Sequence, residues 1–388
     1  MTRVVGHSIN NLGLTTNWIY NQLANLCRYK PVAVARRCNF DVSELNAFHC
    51  FADLPAHQRF TCRVIRRLTG TGYAYRIFRS YGVALVHSHF GNIGYADLRT
   101  VRKLRVPHVT TFYGHDLSTG RRDPEWRERY QQLFAECDRF LTEGPHMRQC
   151  LIDLGCPPSR VVVQRLGINL ENYDFIPRQP GPDGTIRILA AGTFTEKKGL
   201  PYALEAFAIV KSRNPHLDLR LTLVGDVPPG KDPQFLAIRN TIHDVIEKRR
   251  LQDCVSLAGY VSRNDFARIA RESHIFLSPS VHAKNGDSEG GAPVSILEMS
   301  ASGMPIVATK HCDIPNVVRD GQSGYLAAER NVEELADKLN RLVQQPDLWP
   351  EMGSRGRNHI KEFHDLQHQV RKLEDIYDDL LSDTAETP

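Results

Sequence analysis

The feature that most constrains this chain is an alternation of short apolar stretches with longer amphipathic ones, which occurs twice. In the first half, we predict buried strands at 2–9, 31–36, 83–88, 106–112, 138–142 and 161–165, separated by helical patterns. The alternation begins again at Ile186, with strands predicted at 186–190, 219–224, 255–258, 275–278 and 305–308. Short buried strands that alternate with helices indicate parallel sheets covered on both faces. The sequence therefore predicts an α/β chain of two Rossmann-like, doubly wound domains.

A stretch rich in proline and glycine, 177–184, separates the two series and has the composition of a linker. We predict a first domain at 1–178, a second domain at 179–355, and a C-terminal helix at 356–388 that returns to the first domain. The charge changes near the same place. Residues 1–175 hold 23 Lys+Arg and 14 Asp+Glu, a net +9, and the remainder holds 26 and 30, a net −4. Domains of opposite charge are expected to have different partners.

The segment 57–81 predicts a strongly basic helix in the first domain. Four arginines share one of its faces, and three apolar residues lie beside them: Arg59, Arg63, Arg66, Arg67, and Phe60, Val64, Leu68. Such a helix either lies on an anionic membrane surface or presents a solvated charged face over an ordinary core. Nucleic acid is not expected as a partner, because aromatic residues do not interleave with the basic ones in a groove pattern.

The expected compartment is the cytoplasm, with peripheral contact at the inner face of the cell membrane if the basic helix binds lipid. No apolar run approaches the roughly 18 residues of a membrane span, and the N-terminal residues lack the apolar core of a signal peptide. The nine cysteines are scattered without a C-x-x-C motif, which favours reduced thiols over disulfides or a zinc site.

Two histidines follow consecutive predicted strands of the first half. His89 comes after the strand at 83–88 and His115 after the strand at 106–112, each near a glycine. Because ligands of open α/β sheets bind beyond the carboxyl ends of the strands, we expect both histidines at a binding site. Asp116 either orients His115 or caps the following helix.

The stretch 286–303 combines several features of an anion site. Gly290 and Gly291 leave the backbone accessible, Pro293 suits the first position of a short helix, and helix N-termini bind anions. The helix is apolar except for its serines and Glu298, and a buried carboxylate needs a partner. A phosphate bound at the helix N-terminus and sugar hydroxyls bound to Glu298 would satisfy both requirements. The alternative is an ordinary βα turn in which the glutamate reaches water.

Short motifs along the chain resemble those of the family 4 retaining glycosyltransferases of GT-B fold. They are Gly192 with Glu196-Lys197-Lys198-Gly199, Val224-Gly225-Asp226, the segment from Glu289 to Glu298, Gly303-Met304-Pro305, and Asp320-Gly321 with Ser323-Gly324. The segments 87–91, 111–118 and 154–158 resemble the branch of this family that builds bacterial exopolysaccharides such as colanic acid. The resemblance covers nearly the whole chain and is strongest from about 186 to 326. It implies that the two domains face each other across a cleft.

This resemblance also implies roles for individual residues. Lys198 matches the lysine that binds the donor diphosphate, Glu298 the glutamate that binds ribose, and Glu289 the glutamate that faces the donor sugar. The remaining donor-binding residues would be Thr193, Lys197, Gly259, Tyr260, Gly290, Gly291, Ala292, Pro293 and Val294. The catalytic residues would be His115, Glu289 and Lys198, and the acceptor side would comprise His89, Tyr113, His115 and Asp116.

Three departures from the family pattern leave alternatives open. The two glutamates are nine residues apart rather than the usual eight, so Asp287 is a rival for the role of Glu289. Thr193 stands where the family often has arginine, and Lys197 or Arg263 would have to supply the missing cation. Tyr113 stands where the family often has its cleft histidine. Either His115 takes over the role of that histidine, or the role is lost.

The reaction implied by the resemblance is hexosyl transfer, with retention of configuration, from a UDP- or GDP-linked sugar to a saccharide that is lipid-linked. A lysine and a helix N-terminus can stabilise the leaving diphosphate, and no D-x-D motif lies on a clear donor loop, so we expect no metal ion and no separate cofactor. Two alternatives are a nucleotide-sugar epimerase of the same architecture and a non-catalytic nucleotide-sugar binder.

Overall fold

The chain folds into two compact units in the computed structural model, which describes residues 2–13, 16–39, 41–118, 123–228, 230 and 233–383. The first unit comprises Met1–Asn169 and Phe363–Pro388, and the second comprises Leu170–Glu362. Each unit contains one parallel sheet with helices on both faces. The predicted α/β class with two Rossmann-like, doubly wound parts is confirmed.

In the described residues of the first unit, seven parallel strands form a sheet of order β3-β2-β1-β4-β5-β6-β7. They are β1 (Arg3–Leu12), β2 (Tyr29–Cys38), β3 (Phe48–Cys50), β4 (Leu85–His89), β5 (His108–Phe112), β6 (Arg139–Thr142) and β7 (Val161–Val163). The central strands β4 and β5 are buried along their whole length, as expected of strands covered by helices on both faces.

The helices of this part of the chain connect successive strands. They are α1 (Asn17–Ala24), α2 (Ala56–Thr69), α3 (Tyr73–Tyr81), α4 (Gly91–Leu104), α5 (His115–Ser118), α6 (Pro124–Glu136) and α7 (Pro145–Asp153). Asp123 is the N-cap of α6 and accepts a hydrogen bond from the N–H of Glu125, with Pro124 at the first helical position. Helix α2 is largely exposed, with Cys62 as the one buried residue among its described positions.

In the described residues of the second unit, six parallel strands form a sheet of order β10-β9-β8-β11-β12-β13. They are β8 (Ile186–Ala191), β9 (Leu219–Val224), β10 (Val255–Gly259), β11 (Ile275–Ser278), β12 (Ile306–Thr309) and β13 (Gly324–Ala327). The strand order reverses between β8 and β11, which creates a topological switch point at the carboxyl edge of the sheet.

The second unit places helices on both faces of this sheet. They are α8 (Leu200–Arg213), α9 (Pro233–Lys248), α10 (Arg263–Glu272), α11 (Val294–Ala301), α12 (Ile314–Val317), α13 (Val332–Gln344) and α14 (Trp349–Phe363). The main core lies where α8 and α13 cover the sheet, with Phe207, Leu221, Leu339 and Trp349 fully buried or nearly so. Of the helices in the described residues, none combines the length and the apolar character needed to cross a membrane.

The last helix, α15 (Leu366–Asp383), packs in the first unit. Tyr377 is fully buried, and its hydroxyl lies 2.6 Å from Nδ1 of His87 on β4. Glu374 is also buried and accepts hydrogen bonds from the N–H groups of Cys27 and Arg28. The chain crosses into the first unit at Phe363, later than the boundary predicted at residue 356.

The first predicted boundary also differs from the division in the structure, which falls after Asn169 rather than after residue 178. The reason is that the segment 170–178 packs within the second unit. Arg178 is buried and donates to the carbonyl oxygens of Ala270 and Ser273. The stretch 177–184, predicted to be a linker, is therefore anchored at its start.

Candidate functional site

The candidate donor site lies at the carboxyl edge of the second sheet, where loops after β8, β9 and β11 meet. Gly225, after β9, has a φ of +126°, and a Cβ there would lie 2.1 Å from the carbonyl oxygen of Gly192. Gly199, just before α8, has a φ of +63°, and a Cβ there would lie 1.9 Å from the carbonyl oxygen of Pro279. Only glycine permits these close approaches, which hold Lys198 next to the loop after β11.

Lys198 and Glu289 form an ion pair at this edge. The Nζ atom of Lys198 lies 2.9 Å from the carboxylate of Glu289, and Ser280 donates to the same carboxylate across 2.9 Å. The Glu289 side chain is only 7% exposed. Burial alone would raise its pKa, but the charges of Lys198 and Lys197 outweigh burial and lower the pKa below the ordinary value. The carboxylate is therefore held in its ionised form.

Lys197 pairs with Asp287, the residue that the sequence offered as an alternative to Glu289. Its Nζ atom lies 3.2 Å from Asp287 and donates to the carbonyl oxygen of Ser288 across 3.1 Å. The two neighbouring lysines thus bind two different carboxylates. Glu289, rather than Asp287, shares a site with Lys198, although the spacing to Glu298 is one residue longer than usual.

The backbone of Glu289 is held by a histidine that the sequence analysis did not select. The backbone N–H of Glu289 donates to Nε2 of His311 across 3.2 Å. Because Nε2 accepts this hydrogen bond, Nε2 carries no proton. The proton must then lie on Nδ1, which is 2.7 Å from Oε1 of Glu329. His282 contacts the same oxygen through Nδ1 at 2.8 Å. Hydrogen bonds thus fix the tautomer of His311.

These residues also place three metal-binding groups close together, since donor atoms of His282, His311 and Glu329 lie within 4.8 Å of one another. A metal ion on Nδ1 of His311 would require the proton to move to Nε2. A proton on Nε2 would point at the N–H of Glu289, and the hydrogen bond between these two groups would be lost. The geometry therefore fits a hydrogen-bonded cluster better than a metal centre.

Glu298, on α11, is hydrogen bonded to Tyr173, a second residue that was not predicted from the sequence. The hydroxyl of Tyr173 donates to its carboxylate across 2.6 Å. Burial raises the pKa of Glu298, and the hydrogen bond from Tyr173 and the charge of Arg263 offset only part of that effect. Arg263, one of the two predicted substitutes for the missing arginine, therefore lies within electrostatic range of Glu298.

The loop before α11 presents backbone donors toward the same region. Gly290 has a φ of +76°. Among the residues that the structure describes, no hydrogen bond uses the N–H of Gly291 or of Ala292. Pro293 is the N-cap of α11 rather than its first helical residue. Because proline has no N–H, the predicted run from Gly290 to Val294 offers at most four N–H groups to an anion.

The remaining predicted donor residues lie on neighbouring strand ends. Thr193 is half-buried in the loop after β8. Gly259 ends β10 with a φ of +66°, and its carbonyl oxygen accepts from the N–H of Gly225. Tyr260 is 59% exposed, and its hydroxyl donates to the carbonyl oxygen of Asp226.

In the first unit, His89 belongs to a buried cluster rather than to an open edge. It is fully buried, its Nε2 lies 3.2 Å from Nδ1 of His7, and its Nδ1 lies 2.7 Å from the hydroxyl of Tyr113. His87 contacts the hydroxyls of Tyr377 and Thr111 at 2.6 and 2.7 Å. The three histidines bring nitrogens within 4.8 Å of one another. Five of the six ring nitrogens already have hydrogen-bond partners. The cluster is therefore explained by hydrogen bonds without a metal ion.

His115 and Asp116 begin the short helix α5. The side chain of His115 lies outside the described part of the structure, so its catalytic role stays a prediction. Asp116 is buried, and its two carboxylate oxygens accept from the N–H groups of Gly91 and Tyr113. These bonds tie two strand ends together.

Tyr113 lines a small, open pocket in the first unit. The polar and aromatic groups that surround it are those of Trp18, Gln22, Thr111, Glu143, Gln164, Arg165 and Gln369. Of the predicted acceptor residues, Tyr113 faces this pocket, whereas His89 lies behind it as the partner of the tyrosine hydroxyl.

Four contact residues were missed from sequence: Tyr173, Ser280, His311 and Glu329. The last three each lie two positions beyond the end of a strand, after β11, β12 and β13. The rule that selected His89 and His115 would have found them if it had been applied to every strand of the second half. Tyr173 carries no such signal, because it lies in an irregular segment far from Glu298 in sequence.

Two family models match the chain. The model described as "Glycosyltransferase Family 4" matches residues 32–172, and the model described as "Glycosyl transferases group 1" matches residues 185–345. All but the last three residues of the first match lie in the first unit, and the second match lies in the second unit.

Curated relatives are similar over most of the chain. The amylovoran biosynthesis glycosyltransferase AmsK of Erwinia amylovora is 34% identical over 269 residues, 68% of this chain and 62% of the relative. The putative colanic acid biosynthesis glycosyltransferase WcaL of Escherichia coli is 30% identical over 286 residues, 73% of this chain and 67% of the relative. The chain thus spans about two thirds of the length of these relatives.

Solved structures resemble the chain at lower sequence identity. HepE of Anabaena, crystallised with UDP and glucose, has a TM-score of 0.78 at 14% identity and covers 97% of this chain and 100% of its own. Sucrose-phosphate synthase of Thermosynechococcus elongatus has a TM-score of 0.76 at 15% identity and covers 98% and 99%. At these identities the likeness shows the fold, which is GT-B.

Proposed function

This chain belongs to glycosyltransferase family 4, and from that membership we propose that it transfers a hexose from a nucleotide-sugar donor to a saccharide acceptor with retention of configuration. The observation that carries the proposal is the Lys198–Glu289 ion pair at the switch point of the second sheet. An ammonium group has three N–H donors, so Lys198 can bind a diphosphate while it remains next to Glu289.

The donor diphosphate would lie between Lys198 and the start of α11. As the bond from the sugar to the diphosphate breaks, negative charge develops on the leaving oxygens. Lys198 and the N–H groups of Gly291 and Ala292 would stabilise that charge, aided by the helix dipole. We propose that this arrangement needs no metal ion or other cofactor, and that the leaving phosphate accepts the acceptor's proton.

The nucleoside would bind on the other side of the diphosphate. Glu298 would accept hydrogen bonds from the ribose hydroxyls, and the backbone at Gly259 and Tyr260 would contact a uracil or guanine base. The Glu289 carboxylate would face the donor sugar. Arg263, near Glu298, is the better candidate for the cation that Thr193 lacks, because Lys197 is already paired with Asp287.

The acceptor would bind in the first unit, with Tyr113 at its pocket and His115 as the predicted catalytic histidine. The names of AmsK and WcaL refer to the biosynthesis of amylovoran and colanic acid, which supports an exopolysaccharide as the product. We propose a lipid-linked saccharide acceptor, which would place the reaction at the cytoplasmic face of the membrane.

A thermal-shift panel of UDP-, GDP-, ADP- and TDP-sugars would identify the donor, since a ligand that binds the folded protein raises its apparent stability. Glu298→Ala should weaken binding of the identified donor roughly 10- to 150-fold, as expected for lost charged hydrogen bonds. The matched control is Glu362→Ala, which removes an exposed carboxylate of the same unit and should leave binding unchanged.

The same donor, incubated with and without lipid-linked saccharides, tests the reaction. Transfer to an acceptor supports the proposal. Conversion of the donor to an isomer without any acceptor would show an epimerase instead. Wild-type donor affinity in Glu298→Ala would refute the ribose assignment.

A further inference from the structure

Helix α2 carries an apolar stripe on its exposed side. Phe60 is 66% exposed, Val64 40% and Leu68 80%. These residues recur every four positions, so they form one row along the helix. The helix is 14 residues long, which corresponds to about 21 Å at 1.5 Å per residue. A row of large apolar side chains over that length is costly to leave in water, and it marks an interaction surface.

A row of arginines runs alongside this stripe. At 100° per residue, Arg63 and Arg67 lie next to Phe60 on one side, and Arg59 and Arg66 lie just beyond them. Among the described residues, none of the four arginines forms an ion pair. The apolar row and the cationic row therefore face outward together.

The charge around α2 has a single sign over a long segment. Between Asp53 and Asp97 the chain contains six arginines and no acidic residue. Two of these arginines, Arg76 and Arg79, are exposed on the neighbouring helix α3. A surface this uniformly cationic attracts an anionic partner over roughly a Debye length, about 10 Å in dilute salt.

We propose that α2 is a docking surface for an anionic lipid bilayer, with Phe60, Val64 and Leu68 inserted at the level of the headgroups. An amphipathic helix in this orientation buries its apolar row while its arginines contact lipid phosphates. Nucleic acid would satisfy the arginines but would leave Phe60 and Leu68 in water. A second copy of the chain would cover the apolar row but would bring two cationic surfaces together.

This inference goes beyond the proposed function, because bilayer binding requires neither a donor sugar nor an acceptor. It gives the first unit a route to a lipid-linked substrate if the proposed reaction holds. Failure of sugar transfer would leave the binding measurement intact, and failure of binding would leave transfer to a water-soluble acceptor intact. The two proposals are therefore tested separately.

The test is flotation of the full-length chain with vesicles, either of neutral phosphatidylcholine or containing about one-third phosphatidylglycerol. We expect binding to the anionic vesicles, weakened at about 0.5 M NaCl because salt screens the arginines. Phe60→Ser/Leu68→Ser should weaken binding at least about tenfold, and Arg63→Gln/Arg67→Gln about tenfold or more. All four side chains are on the exposed side of α2, so the variants should retain the wild-type melting temperature.

Two matched controls remove the same groups elsewhere. Lys248→Gln/Lys361→Gln removes two exposed positive charges from the second unit, and Leu257→Ser removes an exposed leucine of β10. Both should bind vesicles as the wild type does. Equal binding to neutral and anionic vesicles, or unchanged binding by either α2 variant, would overturn the proposal. So would self-association or duplex DNA binding through α2 in a protein that does not float with anionic vesicles.

Discussion

The backbone N–H of Glu289 donates a hydrogen bond to Nε2 of His311 across 3.2 Å. The same imidazole donates through Nδ1 to Glu329. Glu329 therefore lies two hydrogen bonds away from the glutamate that pairs with Lys198. Because the His311 side chain is completely buried, this connection is shielded from water, and Glu329 has the geometry of a positioning residue for Glu289.

Glu329→Ala is expected to raise the KM for the donor about tenfold, because His311 loses the partner that fixes its tautomer and the Glu289 loop loses a defined anchor. His282→Ala is the matched control. His282 contacts the same carboxylate, but among the described residues it forms no hydrogen bond with Glu289. Its side chain is 44% exposed, so its loss should change the KM less than threefold. Steady-state kinetics distinguishes the two, and an equal effect of both variants would argue against a positioning role.

Lys198 and Lys197 are adjacent in sequence but should differ in their contribution to activity. Lys198→Met is expected to reduce kcat/KM about 10- to 150-fold, the range for a charged hydrogen bond. It also leaves Glu289 buried without its cation. Lys197→Met removes the pair with Asp287, in which both side chains are about one-fifth exposed, and the hydrogen bond to the carbonyl oxygen of Ser288. It leaves the Lys198–Glu289 pair in place, so a loss below about fivefold is expected. Equal losses in kcat/KM would mean that the ion pair at Glu289 has no special role.

The fold was predictable from sequence because strands buried on both faces leave short, mostly apolar stretches between helical patterns, such as Ile186–Ala191. The site was predictable only where it depends on local position. The start of a short apolar helix and its single buried carboxylate identify Glu298, whereas Lys198 and Glu289 were selected only through the resemblance. The pairing of Tyr173 with Glu298 joins residues 125 positions apart, and no local pattern reports such a contact. The burial of Arg178 escaped prediction for the same reason.

Gly199 should be intolerant of any side chain, because a Cβ would lie 1.9 Å from the carbonyl oxygen of Pro279. Gly199→Ala is expected to cost about 3 kcal/mol or more of unfolding free energy, since backbone atoms would have to move. Gly184 is the matched control: its φ of +74° is similar, but no atom lies within 4 Å of a Cβ there. Gly184→Ala should cost only about 1 kcal/mol for the unfavourable φ. Urea unfolding measures both, and equal costs would show that backbone conformation, rather than the contact with Pro279, decides.

The buried histidines of the first unit should make its stability sensitive to acid. Burial lowers the pKa of His7 from 6.5 to about 3. Because the folded-state pKa lies below the unfolded-state value, the unfolded chain binds the proton first, and stability is lost as the pH falls from about 6.5 toward 3. Each such histidine adds about 1.4 kcal/mol per pH unit to the slope. His7→Gln should therefore reduce the slope of unfolding free energy between about pH 6 and pH 4 by that amount. His57→Gln, at the exposed start of α2, is the matched control. An unaltered slope in His7→Gln would mean that His7 takes up its proton equally in the folded and unfolded chains.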